Sequence, residues 1–434
     1  MIPSKGIFKK VLDHKVFQTF GIYTGSSILN KMLPFLLMPV MTKHLSPKEY
    51  GIVAIYQAII SFSLPFIGMN MQNNITRDFY RQKKENIAKL MSNLIIVLLC
   101  SSSIILMITM VYTLFFKTLN DIPAGWLYTI PIIVFLNMIN QFNLTIIRNE
   151  QKAFTYGIFE VSNTLLQLLF AVIFVVVLNL GWEGRAHPTW ICALIFGIIG
   201  IIHMTWNGYL KYNFDRDTIR KILDLSLPMI PYSLGGIVIF FSDRFFIDHF
   251  AGKTAVGIYA VGYSFGMIIT IFKDAFAKAW SPWMYRNLAH VTYEGKIKIV
   301  RFTYGYMIGM ILLALAVTFG SYLLMDVMAN ERYHGAKEFI IWIALANAVN
   351  GMYSVMMPYC VHVGKTKPLA WIMFLAALIN LAGNYFLVQW NGAVGAAQAT
   401  LIAFCVTFSI NWWYVHKIYP MPWFDKRVFS LAKI

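Results

Sequence analysis

Apolar residues run through this chain in long unbroken stretches, without the period-two alternation that marks half-buried or barrel strands. A hydrocarbon core of roughly 30 Å is crossed by about 20 helical residues, and windows of that length recur along almost the whole sequence. They fall near 17–41, 48–70, 89–116, 125–147, 156–180, 188–208, 222–250, 255–279, 300–328, 337–363, 368–390 and 393–416. The pattern predicts an all-α polytopic membrane protein with twelve transmembrane helices. Three of the intervening segments, 71–88, 209–221 and 280–299, are longer and mix basic, polar and apolar residues, which predicts amphipathic helices at the headgroups.

Charge then orients the frame. The 434 residues include 36 Lys and Arg against 19 Asp and Glu, a formal +17, but the basic residues are scattered through short turns and form no single patch or tail. That distribution speaks for membrane topology and against nucleic acid. Lys43, Lys48, Lys117, Arg185, Lys253, Arg332 and Lys337 fall on one side of the alternating spans. Almost all the others fall on the opposite side, the side of the N-terminus. Positive residues stay cytoplasmic during insertion, so both termini are expected in the cytoplasm. The basic opening MIPSKGIFKKVLDHK runs into a long span with no small-residue cleavage pattern and is expected to be retained.

The outward turns are all short. They leave no room for an extracytoplasmic active site, and the inward segments carry neither a nucleophile and base pair nor a phosphate-cradling glycine loop. A membrane enzyme is therefore disfavoured. Four cysteines sit singly in apolar runs and nine histidines lack ligand spacing, so no metal is expected. An internal repeat is visible at an offset of about 206 residues: HLSPKEYGIVAIY (44–56) lies over FAGKTAVGIYAVG (250–262), each a short turn followed by Gly-Ile. Two six-helix bundles, 1–210 and 211–434, are the expected domains, although small-residue turns can also recur by chance.

LSLPMIPYSLGGIVIFFSDRFFIDHFAGKTAVGIYAVGYSF (225–265) and FAKAWSPWMY (276–285) resemble the seventh and eighth spans of the Wzx-type lipid-linked oligosaccharide flippases. KMLPFLLMPVMTKHLSPKEYGIVAIYQ (31–57) resembles their first two spans, and Arg77 of MNMQNNITRDFYR stands where they place an arginine after span two. The resemblance implies the multidrug/oligosaccharidyl-lipid/polysaccharide superfamily, with two bundles in a V around a central cavity. It implies transport of an undecaprenyl-diphosphate-linked repeat across a bacterial inner membrane, for O-antigen or related lipopolysaccharide and surface-polysaccharide assembly. A polymerase and a chain-length regulator would be partners. The same architecture leaves a MATE-like multidrug or cation antiporter as the alternative. Cationic drugs would want a carboxylate-rich cavity, and three of the six charges inside the spans are basic.

Each charge at the bilayer centre costs at least about 2.5–3.5 kcal/mol and needs a partner or water. Those six are Lys31, Asp243, Arg244, Asp248, Lys273 and Asp274. Lys31 shares a helical face with Ser27, and Asn30 lies beside it, so this face could line a cavity; the alternative is a snorkelling lysine. Arg244 has Asp248 at i,i+4 and Asp243 adjacent, so it either meets substrate or is neutralised locally. Lys273 beside Asp274 is open to the same two readings. In the functional reading Lys31, Arg244 and Lys273, with Arg77, offer positive charge to a diphosphate. Asn137, Asn140 and Gln141 in span four and Asn347 and Asn350 in span ten could meet sugar hydroxyls, although amides also join helices in lipid. Proton or sodium coupling would require a titratable acid, for which Asp274, Asp248 and Glu160 are candidates. No other cofactor is expected.

Overall fold

A computed structural model of the chain describes residues 25–429 apart from Ser27, Leu33, Pro34, Ala289, His290 and Thr366. The described part is almost entirely helical. In chain order the helices are α1 (Met38–His44), α2 (Pro47–Gly68), α3 (Gln72–Asp78), α4 (Lys84–Phe115), α5 (Ala124–Asn149), α6 (Ala153–Val172) and α7 (Gly181–Trp206). They continue as α8 (Arg216–Ser226), α9 (Met229–Phe241), α10 (Asp243–Gly266), α11 (Ile268–Leu288), α12 (Tyr293–Met328), α13 (Lys337–His362), α14 (Lys367–Ile418) and α15 (Lys426–Phe429).

Nine helical stretches among the described residues are long and apolar enough to cross a membrane. Two of these stretches contain a glycine with non-helical backbone, Gly252 (φ 79°) and Gly392 (φ 56°). Only glycine adopts such angles without strain, and there the chain folds back on itself. Asp243 accordingly lies against Tyr259, and Asn380 against Thr400. Each of these two stretches is thus a helical hairpin that crosses twice, as the gaps predicted near 251–254 and 391–392 require.

The chain forms two compact units. Among the described residues, one holds those up to His44 with Ile59–Ser233; the other holds Leu45–Ala58 with those from Leu234 onward. Helix α2 therefore contributes to both. Its N-terminus is fixed by a capping box in which Ser46 N–H donates to Glu49 Oε2 (2.9 Å) and Glu49 N–H donates to Ser46 Oγ (3.3 Å). The first unit is cored by Ile67, Met71, Leu94, Leu98, Phe142 and Ile146 with their neighbours. The second has its main core around Trp280, Met284, Tyr359 and Trp423.

Segment 209–221 largely meets its expectation, since α8 is an amphipathic helix, N-capped by Asp215 and anchored by the buried Ile222. The described residues of 280–299 form no helix of their own; they belong largely to the C-terminal end of α11 and the N-terminal end of α12. A further departure is a short hairpin of β1 (Thr118–Leu119) and β2 (Ile122–Pro123). Its turn residues Asn120 and Asp121 both have positive φ (50° and 63°), which short polar side chains tolerate.

Candidate functional site

The second unit contains a buried polar cluster inside its spans. Helices α9 and α10 meet at Ser242, whose backbone stays helical (φ −63°, ψ −31°), so they run on as one rod to Gly252. Asp243 projects from this rod with no solvent exposure. Tyr259, brought back by the fold at Gly252, donates its hydroxyl to Asp243 Oδ2 at 2.5 Å. Thr400 donates to the same oxygen at 3.2 Å, and Asn384 Nδ2 donates to Oδ1 at 2.9 Å. Asn380 ties the group together: its Oδ1 accepts from Ser242 Oγ (3.0 Å) and Asn384 Nδ2 (3.1 Å), and its Nδ2 donates to Thr400 (3.2 Å). Desolvating a carboxylate costs several kcal/mol, and here neutral donors supply much of the compensation. Asn384 Oδ1, also buried, has no hydrogen-bond partner among the described residues.

Arg244, the next residue on the rod, faces a different environment. It is 7% exposed, and among the described residues only Phe240 O accepts from it, from Nη1 at 2.7 Å. Its guanidinium carbon lies 4.9 Å from the Tyr263 ring centroid and 5.0 Å from that of Phe241. These π faces hold the plane of the group while leaving donors on its edge uncommitted. Asp248 pairs with Lys253 across the Gly252 fold (3.2 Å), with 10% and 14% of the two side chains exposed. The structure forms no ion pair between Arg244 and Asp248, while the adjacent Asp243 still interacts electrostatically with Arg244.

The remaining candidates are dispersed. Lys273 lies 3.6 Å from Asp274, and the aspartate is 41% exposed. Asn347 is buried and donates to Gly266 O and Ile343 O, which makes it a helix-to-helix tie. Asn350 is also buried. In the first unit Lys31 is exposed and Asn30 half-buried, while Ser27 lies outside the described residues. Asn140 is buried, Asn137 half-buried and Gln141 exposed. Arg77 forms a two-point pair with Asp78, Nε to Oδ1 and Nη2 to Oδ2, both at 2.8 Å. The Asp78 bond holds its guanidinium above the ordinary arginine value. Glu160 is half-buried with Oε2 enclosed and without a hydrogen-bond partner among the described residues. No group of three or more His, Cys, Asp or Glu side chains among the described residues could hold a metal ion.

Sequence reasoning did not join Ser242, Tyr259 or Thr400 to Asp243. The signal available was the Asn380 and Asn384 pair, two amides one helical turn apart within an apolar span.

The family model described as "Polysaccharide biosynthesis protein" matches residues 16–288, more than half of the chain. The chain belongs to this family. A second model, MatE, matches residues 228–386, which contain the rod and most of the buried cluster. Among curated relatives, "Lsg locus putative protein 1" of Haemophilus influenzae is 22% identical over 418 residues, covering 92% of this chain and 99% of that protein. "Multidrug resistance protein MdtK" of Photorhabdus laumondii is 25% identical over 214 residues, 46% of this chain and 45% of its own. Among solved structures, the lipid II flippase MurJ in an inward closed conformation aligns with a TM-score of 0.68 at 15% identity, covering 92% of this chain and 87% of that one. A multidrug MATE transporter in an inward-facing conformation aligns at 0.65 and 15% identity, covering 89% and 95%.

These likenesses give the polysaccharide biosynthesis family member the twelve-helix fold of the superfamily, and the resemblance to Wzx-type flippases stands. It is a multi-pass membrane transporter and not an enzyme.

Proposed function

We propose that the protein moves an undecaprenyl-diphosphate-linked oligosaccharide from the cytoplasmic to the periplasmic leaflet of the bacterial inner membrane, for O-antigen or related surface-polysaccharide assembly. The observation that supports this most directly is Arg244. A guanidinium enclosed within a span, braced by two aromatic faces and a single carbonyl, keeps its forked edge for an anion with paired oxygens. Lys273, Lys31 and Arg77 are assigned to the same path as further positive charge. A polymerase and a chain-length regulator would act on the delivered repeat.

Energy coupling is assigned to Asp243 in preference to Asp274, Asp248 or Glu160. It is the fully buried carboxylate, and the unpartnered Asn384 Oδ1 beside it offers a second oxygen to a proton carrier or a sodium ion. That acid also favours the second reading, a MATE-like cation antiporter, in accord with the MatE match over this region.

The two are separated by deleting the gene in its native host. Loss of surface polysaccharide, with lipid-linked repeats accumulating in the cytoplasmic leaflet, supports the flippase. Intact polysaccharide together with new sensitivity to cationic drugs supports the antiporter and overturns the proposal.

A further inference from the structure

One end of the first unit carries a cluster of rings that the path assigned above does not use. Trp126 lies in the first turn of α5, and Trp182, Glu183, His187 and Trp190 lie in the first three turns of α7. The Trp126 indole N–H donates to Glu183 Oε1 (3.2 Å), and its ring centroid lies 5.3 Å from that of Trp182 and 4.8 Å from that of His187. Trp190 donates its indole N–H to His187 Nδ1 (3.1 Å). A neutral imidazole that accepts at Nδ1 carries its own proton on Nε2, which makes that nitrogen a donor. Phe174 stands edge-on to the same imidazole, with centroids 5.8 Å apart.

The backbone is shaped to hold these rings. Helix α6 ends in a π-helical turn, Ile173–Val177, a form that is rare and frequent at functional positions. Asn179 and Gly181, both at positive φ (51° and 57°), then reverse the chain into α7. A Cβ on Gly184 would lie 2.9 Å from both the carbonyl carbon and the carbonyl oxygen of Phe174, so only glycine lets α7 approach the π turn this closely. Interfacial aromatic belts look different. Trp206, Trp390 and Trp413 are 85%, 75% and 65% exposed, as side chains that meet headgroups are. Trp126, Trp182 and Trp190 are half-buried, and the indole N–H groups of Trp126 and Trp190 are committed to Glu183 and His187 in place of water.

Half-buried rings held at fixed angles beside a carboxylate and an imidazole match one ligand chemistry. The C–H-rich face of a pyranose packs on an aromatic face, while its hydroxyls both donate and accept. Glu183 supplies acceptor oxygens and His187 Nε2 a donor; a lipid chain would use neither. Arg185 lies between the two in sequence and is one of the few basic residues on the side that the charge bias assigns to the periplasm. We propose that the Trp126, Trp182 and Trp190 cluster is a saccharide subsite at the outward end of the first unit, which takes a sugar ring of the repeat as it leaves the transport path. The inference rests on the transport reading above.

The oligosaccharide released by mild acid from the native host's lipid-linked repeats is titrated against the full-length protein in nanodiscs. Binding is read by NMR as saturation transferred from aromatic protons of the protein to C–H protons of the sugar. Trp182→Ala and Glu183→Gln should each weaken binding about tenfold or more, and Trp182→Phe should restore most of the loss. Glu183→Gln keeps an oxygen for the Trp126 N–H, so thermal unfolding of this variant should match the wild type. Equal affinity in wild type and Glu183→Gln, or no transfer to the sugar from wild type, overturns the subsite. Flipping of a fluorescent undecaprenyl-diphosphate disaccharide in proteoliposomes is measured in parallel. A parent that does not flip this probe fails the transport reading, and the subsite then stands or falls on the sugar titration alone; a parent that flips it yet binds sugar independently of Glu183 loses only the subsite.

Discussion

Replacing Arg244 by glutamine tests whether its guanidinium serves substrate or only the helix packing. The side chain keeps most of its stem, and Gln can still donate to Phe240 O, 2.7 Å from the present Nη1. The substitution removes the charge and the fork. With one donor committed to that carbonyl, the edge is free to make a two-point, charge-assisted contact to a diphosphate, worth about 1.5–3 kcal/mol. At about 1.4 kcal/mol per tenfold, the loss corresponds to roughly 10- to 100-fold in apparent affinity. The two rings at 4.9 and 5.0 Å set the competing structural cost, about 0.5–2 kcal/mol each. Arg244→Lys retains a cation near both rings but loses the fork. It should therefore recover abundance fully and transport only in part. The assay is flipping of a fluorescent undecaprenyl-diphosphate disaccharide in proteoliposomes across a range of probe concentrations, normalised to reconstituted protein. Wild-type concentration dependence in Arg244→Gln would refute the phosphate contact. A fall in abundance in both variants, with normal flipping per molecule, would show that Arg244 acts only through packing.

Asp243→Asn keeps the shape but abolishes the charge and replaces one accepting oxygen by a donor, so an imposed proton or sodium gradient should no longer accelerate transport; retained acceleration places the coupling group elsewhere. Tyr259→Phe combined with Asp243→Asn in a double-mutant cycle should show a coupling of about 1.5–3 kcal/mol in stability if the carboxylate is ionised, against about 1 kcal/mol if it is neutral. Lys253→Met removes the ammonium paired with Asp248 and should lower stability by about 3 kcal/mol, most of it regained in Lys253→Met with Asp248→Leu, as thermal unfolding in detergent will show. The Tyr293 hydroxyl and the backbone and guanidinium of Arg427 hold Asp425 down to about 2, below the usual carboxylate range. Because the folded value is depressed, its stabilising contribution is complete above pH ~4 and is lost as pH falls through about 2. Hydrogen exchange across 421–429 should rise in that window, and Asp425→Asn should show the same rise at pH 7.

Most of the fold was legible because the bilayer imposes one rule, that backbone groups be satisfied within each span. The gaps at FAGKT and WNGA could be read as turns from two or three residues each, and the structure places a positive-φ glycine in both. Less legible was 280–299, where mixed polarity predicts a separate amphipathic helix, whereas its described residues belong largely to the ends of α11 and α12. Trp423 illustrates the difference: it is 2% exposed and accepts, at its carbonyl, the Tyr304 hydroxyl from α12. A tertiary dock of this kind leaves no periodic signal in a local window.

The site was half legible, and the division follows from how charges find partners in lipid. Spacing along one helix suggested that Arg244 would pair with Asp248, since i,i+4 neighbours lie on one face. The fold-back at Gly252 changes the competition, because it brings Lys253 against Asp248 from the returning helix. Asp243 needed donors even more strongly, and they lie 16, 141 and 157 residues away in sequence. No local rule could name them. The requirement itself was nevertheless readable: an acid within a span must have several donors, and they must come from spans that carry polar side chains one turn apart. Asn347 is spent on helix carbonyls, whereas Asn384 donates to the acid and keeps an oxygen in reserve. That unspent oxygen beside a buried carboxylate, more than the number of charges in the spans, is the ground for proposing coupling here and a structural tie at Asn347.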